Sequence, residues 1–269
     1  MDLNGVQGIE ANLLDHHSLH EAAEGTDTIY SMASPMPGAD LDFERVNSEG
    51  IANLLEVAQE MGVKSLVHLS TLEVHGFGAG TVSLQSPINP AGPYQSSKAS
   101  AESTLMQFAR SNALPRVVIV RAARAVGPRD WTLAVPLLRM LASGKAVVPR
   151  GGAMSFSHPK DIAQVMYRAA SNPAVAGGAY LVKSFDATPS DLVAGLASAT
   201  GAHAEVRASG RFSKPDLPEY TRQELEAGLS IGTQENWRDL SYAPAYDLGR
   251  TCQEIAAWYR KEPWVVDPA

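Results

Sequence analysis

Cysteine is nearly absent from this 269-residue chain: Cys252 is the only one, so no intramolecular disulfide can form. A cysteine-based zinc site would need other ligands at most positions, which makes a buried packing thiol the simplest expectation. Long hydrophobic runs are missing too. No stretch approaches the ~18 uninterrupted apolar residues of a membrane span, and Met1-Asp2-Leu3-Asn4 lacks the basic start and apolar stretch of an export signal. The expected compartment is therefore the cytoplasm, with no membrane partner. Basic charge is also scarce. The formal net charge is -7, and no lysine or arginine cluster offsets it locally, which disfavours nucleic acid and leaves a small molecule as the expected partner.

With 45% hydrophobic and 19% charged residues, the composition suits a globular unit with ample core. Thr28-Ile29-Tyr30-Ser31-Met32-Ala33, Ser65-Leu66-Val67-His68-Leu69-Ser70 and Arg116-Val117-Val118-Ile119-Val120-Arg121 read as buried strands of a parallel sheet. Between the first two, Ile51, Leu54, Leu55, Ala58 and Met61 recur at helical spacing and stop before Gly62. A second helix, over residues 95–111, joins the next pair, and both units imply right-handed crossovers. Gly8-Ile9-Glu10-Ala11-Asn12-Leu13-Leu14 reads as a further short strand, followed by a helix capped by Asp15 and closed by Gly25. Beyond Gly127-Pro128, proline and glycine punctuation loosens the pattern. The chain ends on a helix with a Leu248, Cys252, Ile255 and Tyr259 stripe, most simply facing a core.

The chemistry concentrates in Tyr94-Gln95-Ser96-Ser97-Lys98, whose tyrosine and lysine share a helix face. A phenol titrating near ~10 exchanges protons poorly at neutral pH, and an adjacent ammonium would lower that value. Such a pair alone is common on helix surfaces. Its context is Ser70-Thr71-Leu72-Glu73-Val74-His75-Gly76, which ends a strand 23 residues before the tyrosine.

In this arrangement the chain resembles the extended short-chain dehydrogenase/reductases, also called the NAD-dependent epimerase/dehydratase family. The resemblance continues through Val46-Asn47-Ser48-Glu49-Gly50, the Arg121 to Pro128 segment, Phe156-Ser157-His158-Pro159-Lys160-Asp161-Ile162 and Tyr242-Ala243-Pro244. It implies an α/β fold, a Rossmann-like doubly wound parallel sheet. Residues 1–128 would form an incomplete dinucleotide-binding domain, and residues 129–269 mostly a substrate-binding subdomain with segments returning to the sheet.

By the same resemblance Tyr94 is the general acid/base, Lys98 lowers its pKa and holds the nicotinamide ribose, and Thr71 hydrogen-bonds the reacting oxygen. The cofactor, NAD or NADP, would meet Asn12 and Leu13, Met32, Ala33 and Ser34, Asn47, Ala123, and Tyr94 with Lys98. A homodimer through the Tyr94 helix and its neighbour is implied as well. A complete family member opens with a strand, a Gly-x-x-Gly-x-x-Gly turn and a helix that receives the pyrophosphate. No such turn stands in this sequence, so the sheet is expected to lack its first βαβ unit and the chain as given to bind cofactor weakly. The strand at Gly8 to Leu13 then either pairs directly with the strand at Thr28 or leaves it as an open edge.

Within the family, Arg124 and Ala153-Met154-Ser155 stand where sugar-nucleotide enzymes carry an asparagine and a diphosphate-binding arginine. Leu72 stands where 4,6-dehydratases carry an acid, and Glu73 reads most plainly as a solvated loop charge. The expected activity is therefore oxidation or reduction of a small-molecule hydroxyl or ketone. A nucleotide-sugar epimerase and a non-catalytic relative are the alternatives. His16, His17 and His20 read as a polar helix face and not as a metal site.

Overall fold

The computed structural model describes residues 5–35, 42–210, 213–232 and 239–262. The opening Met1-Asp2-Leu3-Asn4 lies outside them. Four parallel strands, β1 (Thr28–Ser31), β2 (Ser65–Thr71), β4 (Arg116–Ala122) and β8 (Ala179–Val182), pair in that order. Helices α1 (His16–Ala23), α2 (Gly50–Glu60) and α3 (Pro93–Ser111) lie on one face, and α5 (Pro159–Ser171) on the other. The strands alternate accordingly. Leu66, Val117 and Ile119 pack with Leu54, Leu55, Ala101 and Leu105, while Val67, Val118 and Val120 pack with Ile162, Val165 and Met166. Burial on both faces is why these strands read as near-continuous apolar runs.

A second core, with Leu137, Leu138, Phe156, Leu192 and Ile255, joins α4 (Ala134–Ala142), α6 (Pro189–Thr200) and α8 (Leu248–Lys261). Three small sheets accompany it. They are β5 (Arg124–Ala125), β7 (Met154–Ser157) and β9 (Phe185–Ala187); β6 (Lys145–Val148) with β10 (Glu205–Ala208); and β3 (Thr81–Val82) with β11 (Ser230–Ile231). Helix α7 (Glu219–Ala227) precedes β11. Cys252 is the packing thiol its helical stripe implied, and burial pushes it up to about 12.

Local signals explain most boundaries. Asp15 accepts from His17 N at the start of α1, Gly62 adopts φ 68° just past α2, and Pro93 opens α3 behind Gly92. The expected strand at Gly8 to Leu14 is not formed. Its residues are mostly exposed and pair with no strand among the described residues; Asn12 and Asp15 instead close a turn, Asp15 N donating to Asn12 O at 2.9 Å. That turn is held against α2, where Asn53 Nδ2 donates to Leu13 O at 3.0 Å. Gly50 permits the approach, since a Cβ there would lie 2.8 Å from the Leu13 Cβ. Among the described residues β1 pairs with β2 alone, so of the two arrangements expected for this region the open edge is the one formed.

Candidate active site

The carboxyl ends of β2 and β4 face a cavity of about 250 Å³ lined by Thr71, Tyr94, Lys98 and Ala123, with Met32 and Ser34 from the segment after β1. A wider cleft of about 730 Å³ continues from it, sharing Ser34 and Pro35 and lined by Asn12, Leu13 and Ala33. The residues expected to act and those expected to hold a dinucleotide thus border one trough, at the strand ends where open α/β sheets bind ligands. Asn47 is the exception. It is buried and lines neither cavity, its side-chain amide donating to Ser97 Oγ at 3.0 Å. Asn12 commits its side-chain oxygen locally, accepting from Leu14 N at 2.9 Å.

Thr71 ends β2 and caps the short turn Leu72–His75, its Oγ1 accepting from Glu73 N at 3.2 Å. The turn closes at Gly76, whose φ of 81° favours glycine and where a Cβ would meet Asn89 O at 2.3 Å. Tyr94 and Lys98 sit four residues apart on α3 and line the same wall. Their electrostatics differ from the expectation. Lys98 Nζ donates to Leu69 O at 2.8 Å and contacts His68 Nε2 at 3.0 Å. Burial, followed by the charges of Glu73 and Glu224, raises the Tyr94 phenol, and the cation that opposes the rise is Arg124. Tyr94 is therefore held as a protonated phenol.

The opposite wall comes from α7, which presents Tyr220 and Glu224 four residues apart, a second tyrosine-led pair facing the first. Helix α7 is held there because β11 pairs with β3, which follows the Thr71 turn, and because Ser155 N donates to Leu229 O at 3.0 Å. The Tyr220 ring meets Tyr94 edge-on at 5.9 Å, and its hydroxyl donates to Glu73. Glu73 is buried, so the reading of it as a solvated charge was wrong: α7 covers the loop. Arg124 Nη1 stands 3.4 Å from Glu224 Oε2, and Nη2 reaches Asp130 at 3.3 Å. Burial first, then Glu73 and Asp130, holds the Glu224 carboxyl well above the usual carboxylate range against the pull of Arg124. Tyr220 and Glu224 carry no local signal, because about 130 residues separate them from Tyr94 and only the fold brings them together.

Two other family-like segments meet behind the cavity wall to which Ile162 belongs. Asp161 accepts from Tyr242 Oη, from Ala245 N at 3.1 Å and from Ser184 Oγ at 2.6 Å, tying the start of α5 to the stretch that precedes α8. His16, His17 and His20 lie on the exposed face of α1, the first two beside Glu60 and Glu21. Among the described residues no helix is long and apolar enough to cross a membrane.

Comparison with known proteins bears on these features. A model of the NAD dependent epimerase/dehydratase family matches residues 2–183. A dTDP-glucose 4,6-dehydratase of Streptomyces griseus is 28% identical over 231 residues, 81% of this chain and 66% of that protein. A 3beta-hydroxysteroid-dehydrogenase/decarboxylase isoform of Arabidopsis thaliana is 30% identical over 149 residues, 52% of this chain and 26% of that protein. The chain thus spans between about a quarter and two thirds of the curated relatives it matches. The fold is that of the Bacillus anthracis dTDP-glucose 4,6-dehydratase solved with NAD, at a TM-score of 0.79 and 19% identity, over 100% of this chain and 84% of that one.

Proposed function

Because the chain belongs to the NAD dependent epimerase/dehydratase family, we propose that it is an NAD(P)-dependent oxidoreductase acting on a hydroxyl or ketone of an uncharged small molecule. The observation that carries this reading is that Thr71, Tyr94 and Lys98 border a single cavity. The adjoining cleft fits the ends of a nicotinamide dinucleotide, with Asn12, Leu13 and Ala33 at the far end and Met32, Ser34 and Ala123 nearer the tyrosine. Hydride exchange is the chemistry such a cofactor supplies when bound. Tyr94, held protonated, gives its proton to the oxygen that becomes an alcohol, and the Thr71 hydroxyl stabilises the charge developing there. In the reverse direction Tyr94 must first lose its proton, which favours oxidation at higher pH.

Substrate charge follows from Arg124. It is already shared by Asp130 and Glu224, so an anionic diphosphate would have to displace the Asp130 carboxylate and the Glu224 carboxyl to reach it. Nucleotide-sugar epimerisation is the runner-up, supported by the long match to a sugar-nucleotide dehydratase. The same reading assigns residues 1–128, with the returning β8, to cofactor and the rest mostly to substrate, in a cytoplasmic homodimer that meets across α2 and α3.

Turnover of panels of ketones, alcohols and sugar nucleotides with NADH, NADPH and their oxidised forms tests the proposal; activity confined to sugar nucleotides overturns it. Tyr94→Phe should lower kcat at least about a hundredfold with an unchanged circular dichroism spectrum. A near-normal rate removes Tyr94 from its role.

A further inference from the structure

Lys98 is buried, and so is the histidine it meets. His68 lies on β2 directly across from Ser31 of β1, and its Nδ1 stands 3.1 Å from Ser31 Oγ. The proton positions in this row follow from elementary chemistry. An ammonium can only donate, so His68 Nε2 is the acceptor at 3.0 Å, Nδ1 carries the ring hydrogen, and Ser31 Oγ receives it. A neutral ring with its hydrogen on Nε2 would set two N–H donors against each other, and a proton on both nitrogens would set two cations against each other out of water.

We propose that His68 is a positioning residue for Lys98: its neutral imidazole, fixed in one tautomer by Ser31, draws the ammonium to the strand side of the cavity and sustains its charge. Lys98 then has two acceptors on β2, His68 Nε2 and Leu69 O, and the first of them is held in turn by Ser31 on the neighbouring β1. The surrounding charges do not replace this contact. Glu102, one turn further along α3, favours the ammonium but is itself held by Arg121 Nη2 at 2.7 Å and by Ser70, and His75 lies beyond Arg121. Tyr94, one turn earlier, remains a neutral phenol. Burial pushes Lys98 down to about 8, and burial followed by the Lys98 charge holds His68 well below its ordinary value. Burial already works against the Lys98 ammonium, so the loss of one of its two acceptors weighs directly on its charge.

The inference rests on Lys98 being a working part of the proposed site, but its test needs no turnover. In protein labelled at lysine, the Lys98 side-chain resonance, assigned with Lys98→Arg, is titrated in the wild type, His68→Leu, His68→Gln and Ser31→Ala. His68→Leu leaves a buried ammonium hydrogen without an acceptor, so the Lys98 titration should move down by roughly one pH unit. His68→Gln, which offers a carbonyl to Lys98 and an amide to Ser31, should restore it to near the wild-type midpoint. Ser31→Ala, which frees the unfavourable tautomer, should give a smaller shift in the same direction. If His68→Leu does not fold, Ser31→Ala decides. An unmoved Lys98 midpoint in the folded variants overturns the proposal, even if their melting temperatures fall. Failure of the oxidoreductase reading would appear instead as wild-type protein that turns over no ketone or alcohol while these shifts persist.

Discussion

Arg121 in β4 and Arg124 in β5, three residues apart along the chain, each meet a buried glutamate, and the two pairs are built to opposite standards. Arg121 meets Glu102 through Nε at 3.0 Å to both carboxylate oxygens and through Nη2 at 2.7 Å, and Ser70 Oγ donates to the same carboxylate. Arg124 and Glu224 approach only to 3.4 Å, and Arg124 Nε and Glu224 Oε2 are buried without hydrogen-bond partners. The first pair is saturated and fastens α3 to the sheet. The second lines the cavity and keeps unsatisfied hydrogen-bonding capacity beside Tyr94. A satisfied buried network stiffens a fold, whereas a buried polar group without a partner beside a cavity is available to whatever enters it.

The comparison can be broken at either pair. Glu102→Gln should cost the most, about 3–5 kcal/mol in urea unfolding, because it leaves Arg121 charged and buried without a counterion. A loss below about 1 kcal/mol would show that the saturated pair is not what holds α3. Glu224→Gln should behave differently, with a sign that depends on pH. The Glu224 pKa is raised on folding, so its contribution is fully present below the unfolded value near 4.5 and is lost as pH rises through the folded one. The melting temperature of Glu224→Gln relative to wild type should therefore climb as pH rises from acid toward neutral; a flat difference would mean that Glu224 ionises normally. The smallest effect belongs to an exposed control. Lys64 and Asp27 approach to 2.8 Å, almost as closely as Arg121 and Glu102, yet both are solvated. Lys64→Met should change stability by less than about 1 kcal/mol, which would identify burial and not distance as the source of the larger loss.

Legibility in the sequence followed the same division. The strands around Val67 and Val118 and the helix around Leu54 and Leu55 were readable because each segment's own periodicity reports the face it buries. That Thr71, Tyr94 and Lys98 border one cavity was readable because they fall within 28 residues of one another in a family-like order. Arg124 was visible only as a departure from that order. Gly8 to Leu14 misled, since a few apolar residues resemble a strand whether or not a neighbouring strand supplies hydrogen bonds. Glu73 was misjudged because its cover, α7, arrives from the other half of the chain. His68 did carry a signal, a titratable ring inside an otherwise apolar strand, and a buried polar group of that kind requires a partner.

Helix α3 serves both regions, and its winding shows how. Tyr94, Lys98 and Glu102 follow one another at four-residue intervals, each step overshooting a full turn by about 40°. Over two steps the side chains swing by about 80°, from the open trough at Tyr94, past the strand edge at Lys98, to the sheet's interior at Glu102. The helix thus works as a slow screw whose angular drift sorts a proton donor, a cation and a structural anion into three compartments. Its phase, more than any one contact, is the quantity that a single-residue insertion between positions 94 and 102 would destroy.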